Sequence, residues 1–113
     1  MKSKILALSK NEDFKNLLQK KKASNKYVTI FYGILDNKDI EKLNISFVTK
    51  KKLGNAVKRN KIKRRLKNII NEAVKNMTIK FNYSYLVIAK PTMLNNHYAN
   101  IKETLFQDFE KIK

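Results

Sequence analysis

Side chains able to do covalent or acid–base chemistry are few in this sequence, and they are scattered. His97 is the single histidine and cysteine is absent, which removes thiolate nucleophiles, disulfides and the common zinc frameworks together. Glu12 and Asp13 are adjacent, so on a helix they splay around the axis instead of sharing a metal or a proton. Serine and threonine occur without a base and an orienting acid beside them. What the sequence does concentrate is binding chemistry. In "KKKLGNAVKRNKIKRRLKN", Lys50 to Asn68, lysine, arginine and asparagine crowd together, and no acidic residue occurs between Glu41 and Glu72. Lysine attracts phosphate as a point charge, arginine offers a bidentate fork, and asparagine bonds a phosphate, a ribose hydroxyl or a base edge.

This basic run also keeps a helical beat. At about 100° per residue, Ile62, Leu66, Ile69, Ala73 and Met77 form one apolar stripe. Asn60, Lys63, Arg64, Lys67 and Asn71 recur at helical spacing on the opposite side. A disordered cationic tail would not sort itself in this way. The outward stripe has no carboxylate at i, i+4 to neutralise it, unlike an ordinary exposed helix. Most Lys/Arg-rich faces are merely solvated, and in a chain of ordinary charge that explanation would win. Here the formal charge is +17, which points to a polyanion, and nucleic acid above others.

At 113 residues the chain is expected to be one nucleic-acid-binding domain over 1–113, with a single modest core. Apolar residues make up 42% and are spread along the sequence, so the chain is expected to fold. The N-terminal apolar piece is too short for a signal h-region, and nowhere do eighteen apolar residues run together. A cytoplasmic protein without a membrane partner is expected.

The elements that must position the basic helix follow from periodicity and caps. Asn11 reads as a helix cap with Glu12 and Asp13 in the first turn, Phe14, Leu17 and Leu18 on one face, and an end in Lys20 to Lys22. "KYVTIFYGIL", Lys26 to Leu35, reads as a strand closed by the polar turn "DNKD". Leu43, Ile45 and Phe47 alternate with Asn44 and Ser46, the pattern of a half-buried strand. The basic helix spans about Val57 to Met77, and Phe81 to Lys90 is a strand stopped by Pro91. Tyr98, Ile101, Leu105, Phe109 and Ile112 mark a last helix capped by Asn95 or Asn96. The fold class is α+β, an α-β-β-α-β-α sandwich of one small mixed sheet with packed helices.

"GNAVKRNKIKRRLK", Gly54 to Lys67, resembles the RNR signature of the protein subunit of bacterial ribonuclease P, and "KNEDF" at Lys10 to Phe14 and "YLVIAK" at Tyr85 to Lys90 extend the match in order. The resemblance implies that Arg59, Asn60, Lys63 and Arg64 belong to the RNA-binding signature, with Gly54, Ala56 and Val57 shaping the start of the helix. Lys61 and Lys67 stand where the family commonly has arginine, and Asn68 where it commonly has glutamate, so charge is kept at 61 and 67 without the bidentate fork. Lys51, Lys52 and Lys90 fall at strand ends that the family uses near RNA. It also implies a left-handed crossover that carries the basic helix between parallel strands, against the usual hand.

By the same resemblance, the face between the first helix and the sheet holds the single-stranded 5′ leader of precursor tRNA. Phe14 matches one position there, Leu18 falls where an aromatic is common, and Phe31 or Tyr32 supplies the strand contribution. The implied partners are the ribonuclease P RNA subunit and precursor tRNA, and the implied activity is endonucleolytic removal of the leader. The chemistry belongs to the RNA, with Mg2+ bound through it and not at a protein site. A small ribosomal-type RNA-binding protein fits the composition equally well. A DNA regulator fits less well, because a strand and not a helix precedes the basic helix. A self-sufficient nuclease fits least.

Overall fold

The computed structural model describes residues 5–8, 11–36, 38, 41–76 and 79–112. Lys10, Asn37, Asp39 and Met77, which the sequence reading uses, lie outside them. Five strands form one mixed sheet: β1 (Ile5–Leu6), β2 (Lys21–Ser24), β3 (Val28–Gly33), β4 (Leu43–Val48) and β5 (Ser84–Ala89), in the order β1-β4-β5-β3-β2. β4 is parallel to β1 and to β5, whereas β3 runs antiparallel to both β5 and β2. Three helices pack on this sheet: α1 (Asn11–Leu18), α2 (Ala56–Asn76) and α3 (Tyr98–Lys111). Parallel neighbours cannot be joined by a tight turn, and α2 is the long crossover that carries the chain from β4 to β5. Among the described residues no helix is long and apolar enough to cross a membrane.

Successive strand residues point to opposite faces, and the core divides accordingly. On one face Val28, Ile30, Ile45, Tyr85, Val87 and Ala89 pack against Ile62, Leu66, Ile69, Ile70 and Ala73 of α2 and Ile101, Leu105 and Phe109 of α3. Each such aliphatic side chain taken out of water stabilises the fold by roughly 1.5–3 kcal/mol before ordering costs. On the other face Leu86 meets Leu17 of α1 with Leu8 and Leu35, and Phe14, Phe31, Val48 and Ile88 pack around them only partly buried.

Several expectations change. The fold class holds, but two strands are added. α1 stops at Leu18, and Lys21 and Lys22 lie in the edge strand β2, opposite Tyr32 and Phe31 of β3. Backbone bonds from Gln19 to Asn16 and from Lys20 to Leu17 tighten and end the helix, and the β3 ladder then satisfies the lysines' backbone. β4 is not half-buried: Asn44 and Ser46 are buried too, and Ser46 Oγ accepts a 2.8 Å bond from the Leu8 amide. The segment after β1 supplies that cover. α1 begins at Asn11 itself, so that residue sits within the helix. His97, not Asn95 or Asn96, flanks the start of α3, without a side-chain capping bond. Asn95 belongs to a 3-10 turn, Pro91–Asn95, and the Asn96 amide donates to the Thr92 carbonyl.

Candidate nucleic-acid interface

α2 begins in a short approach whose geometry is specified residue by residue. Leu53 is buried and anchors a 3-10 turn, Lys51–Leu53, which holds Lys51 and Lys52 in solvent. Gly54 follows at φ +127°, ψ −165°, a conformation that side chains rarely adopt, and a Cβ there would also meet Lys58 Cδ at 2.8 Å. Asn55 then caps the helix, its Oδ1 accepting a 3.0 Å bond from the Lys58 amide. The sequence reading missed this cap by starting the helix one residue late, at Val57 instead of Ala56; an asparagine just before an apolar-periodic run is its usual signal. Val57 is 76% exposed, so the start of α2 is shaped by Gly54 and Asn55, not by packing of Val57.

Beyond the cap the two stripes separate as the periodicity requires. Ile62, Leu66, Ile69 and Ala73 are at most 2% exposed, and Ile70, not counted in the stripe, is fully buried beside them. Asn60, Lys61, Lys63, Arg64 and Lys67 are all exposed. No cation of α2 forms an ion pair among the described residues; the carboxylates pair elsewhere, Asp13 with Lys38 at 2.6 Å and Glu72 with Lys102 at 2.9 Å. The Glu72 contact raises the Lys102 pKa, chiefly through its hydrogen bond. Arg59 is half-buried, and its Nε is buried with no acceptor among the described residues.

Lys90, which the resemblance places near RNA, is engaged within the fold. Its Nζ donates to Ser24 Oγ at 2.8 Å and to the Asn25 carbonyl, latching the end of β5 to the β2–β3 turn. Two of its three donors are therefore used within the fold.

The second surface lies on the other side of the sheet, beneath α1. Phe14 and Phe31 are half-buried around Leu17 and Leu86, and Leu18 is 49% exposed. The β3 register settles the alternative left open between Phe31 and Tyr32. Phe31 lies opposite Leu86, on the α1 face, whereas Tyr32 lies opposite Tyr85 and stacks with it at 6.4 Å between ring centroids. Tyr32 therefore belongs to the opposite face, in an aromatic group with Tyr83 and Tyr85, and is removed from the cleft. Among the described residues no three carboxylates or imidazoles converge as a metal-binding set.

A family model described as "Ribonuclease P" matches residues 3–113. The chain belongs to the ribonuclease P protein family. Among curated relatives, the ribonuclease P protein component of Carboxydothermus hydrogenoformans is 33% identical over 115 residues, covering 98% of this chain and 94% of its own. That of Mesoplasma florum is 34% identical over 104 residues, covering 91% of each. In solved structures, a Staphylococcus aureus RNase P protein superposes with TM-score 0.77 at 26% identity, over 94% of this chain and 93% of that one. A Thermotoga maritima RNase P protein does so with TM-score 0.80 at 20% identity, over 96% and 98%, and that likeness bears on the fold alone. The chain is a protein subunit of a ribonuclease P ribonucleoprotein, an endoribonuclease acting in tRNA processing, and the ribosomal alternative is not favoured.

Proposed function

We propose that this subunit works as one domain with two RNA surfaces. The outward stripe of α2, with Lys51 and Lys52 beside it, grips the catalytic RNA, and the open face around Phe14, Leu18 and Phe31 receives the 5′ leader of precursor tRNA. Hydrolysis of the phosphodiester is assigned to the RNA subunit and the magnesium bound through it, in the cytoplasm, and the protein contributes electrostatic support and substrate positioning. The single observation that carries this reading is the outer face of α2, where Asn60, Lys63, Arg64 and Lys67 stand exposed with no carboxylate of the described residues paired to them.

Cations on the protein offset phosphate repulsion that free metal would otherwise have to screen. The test is a reconstitution of protein, RNA subunit and precursor tRNA across magnesium concentrations. Protein alone should give no cleavage, RNA alone should cleave only at high magnesium, and the complex should give the mature 5′ end at low magnesium. Site-specific cleavage by RNA-free protein, or a magnesium requirement that the protein leaves unchanged, would overturn it.

A further inference from the structure

α2 carries a second cationic face that the outward stripe does not explain. Lys58, Lys61, Ile62 and Arg65 recur at i, i+3, i+4 and i+7, so they share one side of the helix, well away from Lys63 and Lys67. Across from them runs the 3-10 turn Pro91–Asn95, and between the two lies an open cavity of about 370 Å³. Its lining is divided by chemistry. Ile62 and Met93, at 2% and 0% exposure, make an apolar floor; Leu94, 36% exposed, forms an apolar rim; Lys58, Lys61 and Arg65 supply the cations, and among the described residues no acidic one lines the space.

We propose that this cavity holds one unpaired nucleotide of RNA, its base against Ile62, Met93 and Leu94 and its flanking phosphates on Lys58, Lys61 and Arg65. The inference rests on the reading of α2 as an RNA-binding helix and adds a second, base-sized contact on its other flank. A bare phosphate site would need cations and amides but no leucine left in solvent. A base has an apolar face as well as a charged backbone, and splayed bases of single-stranded segments are what proteins accept into such pockets, often against an arginine plane. The volume lies at the small end of the range for sites that enclose a compact ligand. An acidic peptide would satisfy the cations but would set hydrated carboxylates over the floor.

The test uses the complex of full chain and RNA subunit. Because the sequence has no cysteine, Leu94→Cys and, separately, Lys67→Cys each accept one photoreactive aryl azide. The label at 94 should cross-link to an unpaired nucleotide, and the label at 67 to a different segment. A label that reacts at 67 but not at 94 would overturn the cavity proposal while leaving the basic-helix reading intact. Silence at both positions would sink both. Displacement of only the position-94 cross-link by polyglutamate would hand the cavity to an acidic protein partner and equally overturn the proposal. Leu94→Lys separates base from charge: a base pocket predicts RNA binding weakened roughly fivefold or more, the low end of what one base contact contributes. Tighter binding with a steeper salt dependence would show a mere charge patch and refute it.

Discussion

The two faces of the sheet are built to different standards. α2 and α3 seal one, with Leu66, Ile69, Ile70 and Leu105 fully buried and Phe109 at 2%. The eight residues of α1 cover the other, leaving Phe14, Phe31, Val48 and Ile88 only partly buried and Leu18 half in solvent. Polar side chains follow the same division, since Asn44 and Ser46 of β4 point to the thinly covered face, where Ser46 bonds the Leu8 amide. A closed face that supplies most of the folding energy frees the open one to keep aromatic surface available. On that argument a truncation should unfold the protein on one side and impair recognition on the other.

The largest effect is expected on the closed face. Leu66→Ala removes a fully buried side chain between α2 and the sheet, and should cost about 2–5 kcal/mol in chemical denaturation. A loss below 1 kcal/mol would show that this face is not the main source of stability. On the open face, Phe14→Ala and Phe31→Ala should each reduce discrimination between precursor and mature tRNA by about 1–3 kcal/mol. Tyr32→Ala should spare discrimination and lower the melting temperature, because it empties space beside Tyr85. Reversal of the Phe31 and Tyr32 results would place the leader surface on the wrong side of β3.

Tyr85 tests the closed face through pH. Burial, with Tyr83 and Tyr32 nearby, raises its phenol far above the ordinary value near 10, and its hydroxyl donates to the Lys80 carbonyl at 2.9 Å. Below about pH 10 the phenol is protonated in both folded and unfolded chains. Above it the unfolded chain ionises first, so native stability falls with rising pH by up to about 1.4 kcal/mol per unit. Tyr85→Phe loses the hydrogen bond, about 0.5–1.5 kcal/mol, and with the phenol gone it lacks this slope. The two stabilities should therefore converge as pH climbs past 10, and parallel curves would mean that the phenol is not held neutral by the fold.

What the sequence made legible is local. The α2 stripe, Ile62 to Ala73, repeats over about three turns in one element, so side chains sort by angle and need no knowledge of the rest of the chain. Long-range pairings escaped. β1 is two residues long and takes its identity from β4, thirty-eight positions away between Ile5 and Leu43. β2 was hidden because lysines after a helix also suit its C-terminal dipole, and only pairing with β3 distinguishes the two readings. Asn44 and Ser46 looked solvent-facing because alternation shows that a strand has two faces, not whether a distant segment covers the second. Phe31 and Tyr32 are neighbours in sequence, and only the register with Leu86 and Tyr85 separates their roles. Lys90 reads as one more surface cation until the β2–β3 turn is brought against it.

The smallest expected effect per residue concerns the outer stripe of α2, where no core contact is at stake. Lys67 and Arg64 are exposed and form no ion pair among the described residues, so Lys67→Ala and Arg64→Ala should leave the melting temperature almost unchanged. Their effect should appear as a shallower dependence of RNA affinity on salt, because each cation that neutralises a phosphate releases condensed counterions. The loss is up to about 0.9 in the log–log slope for each contact removed, the value for B-form DNA, and about 0.7 for a single strand. Arg64→Lys sharpens the measurement: charge and slope should persist, and affinity should fall only where the bidentate fork was used. The same exchange at 67, Lys67→Arg, should leave the slope alone and tighten binding only if a phosphate there is open to two bonds. Identical slopes for wild type, Lys67→Ala and Arg64→Ala would mean that the stripe is merely solvated, and would shift RNA recognition to the open face and the flank of α2 facing Pro91–Asn95.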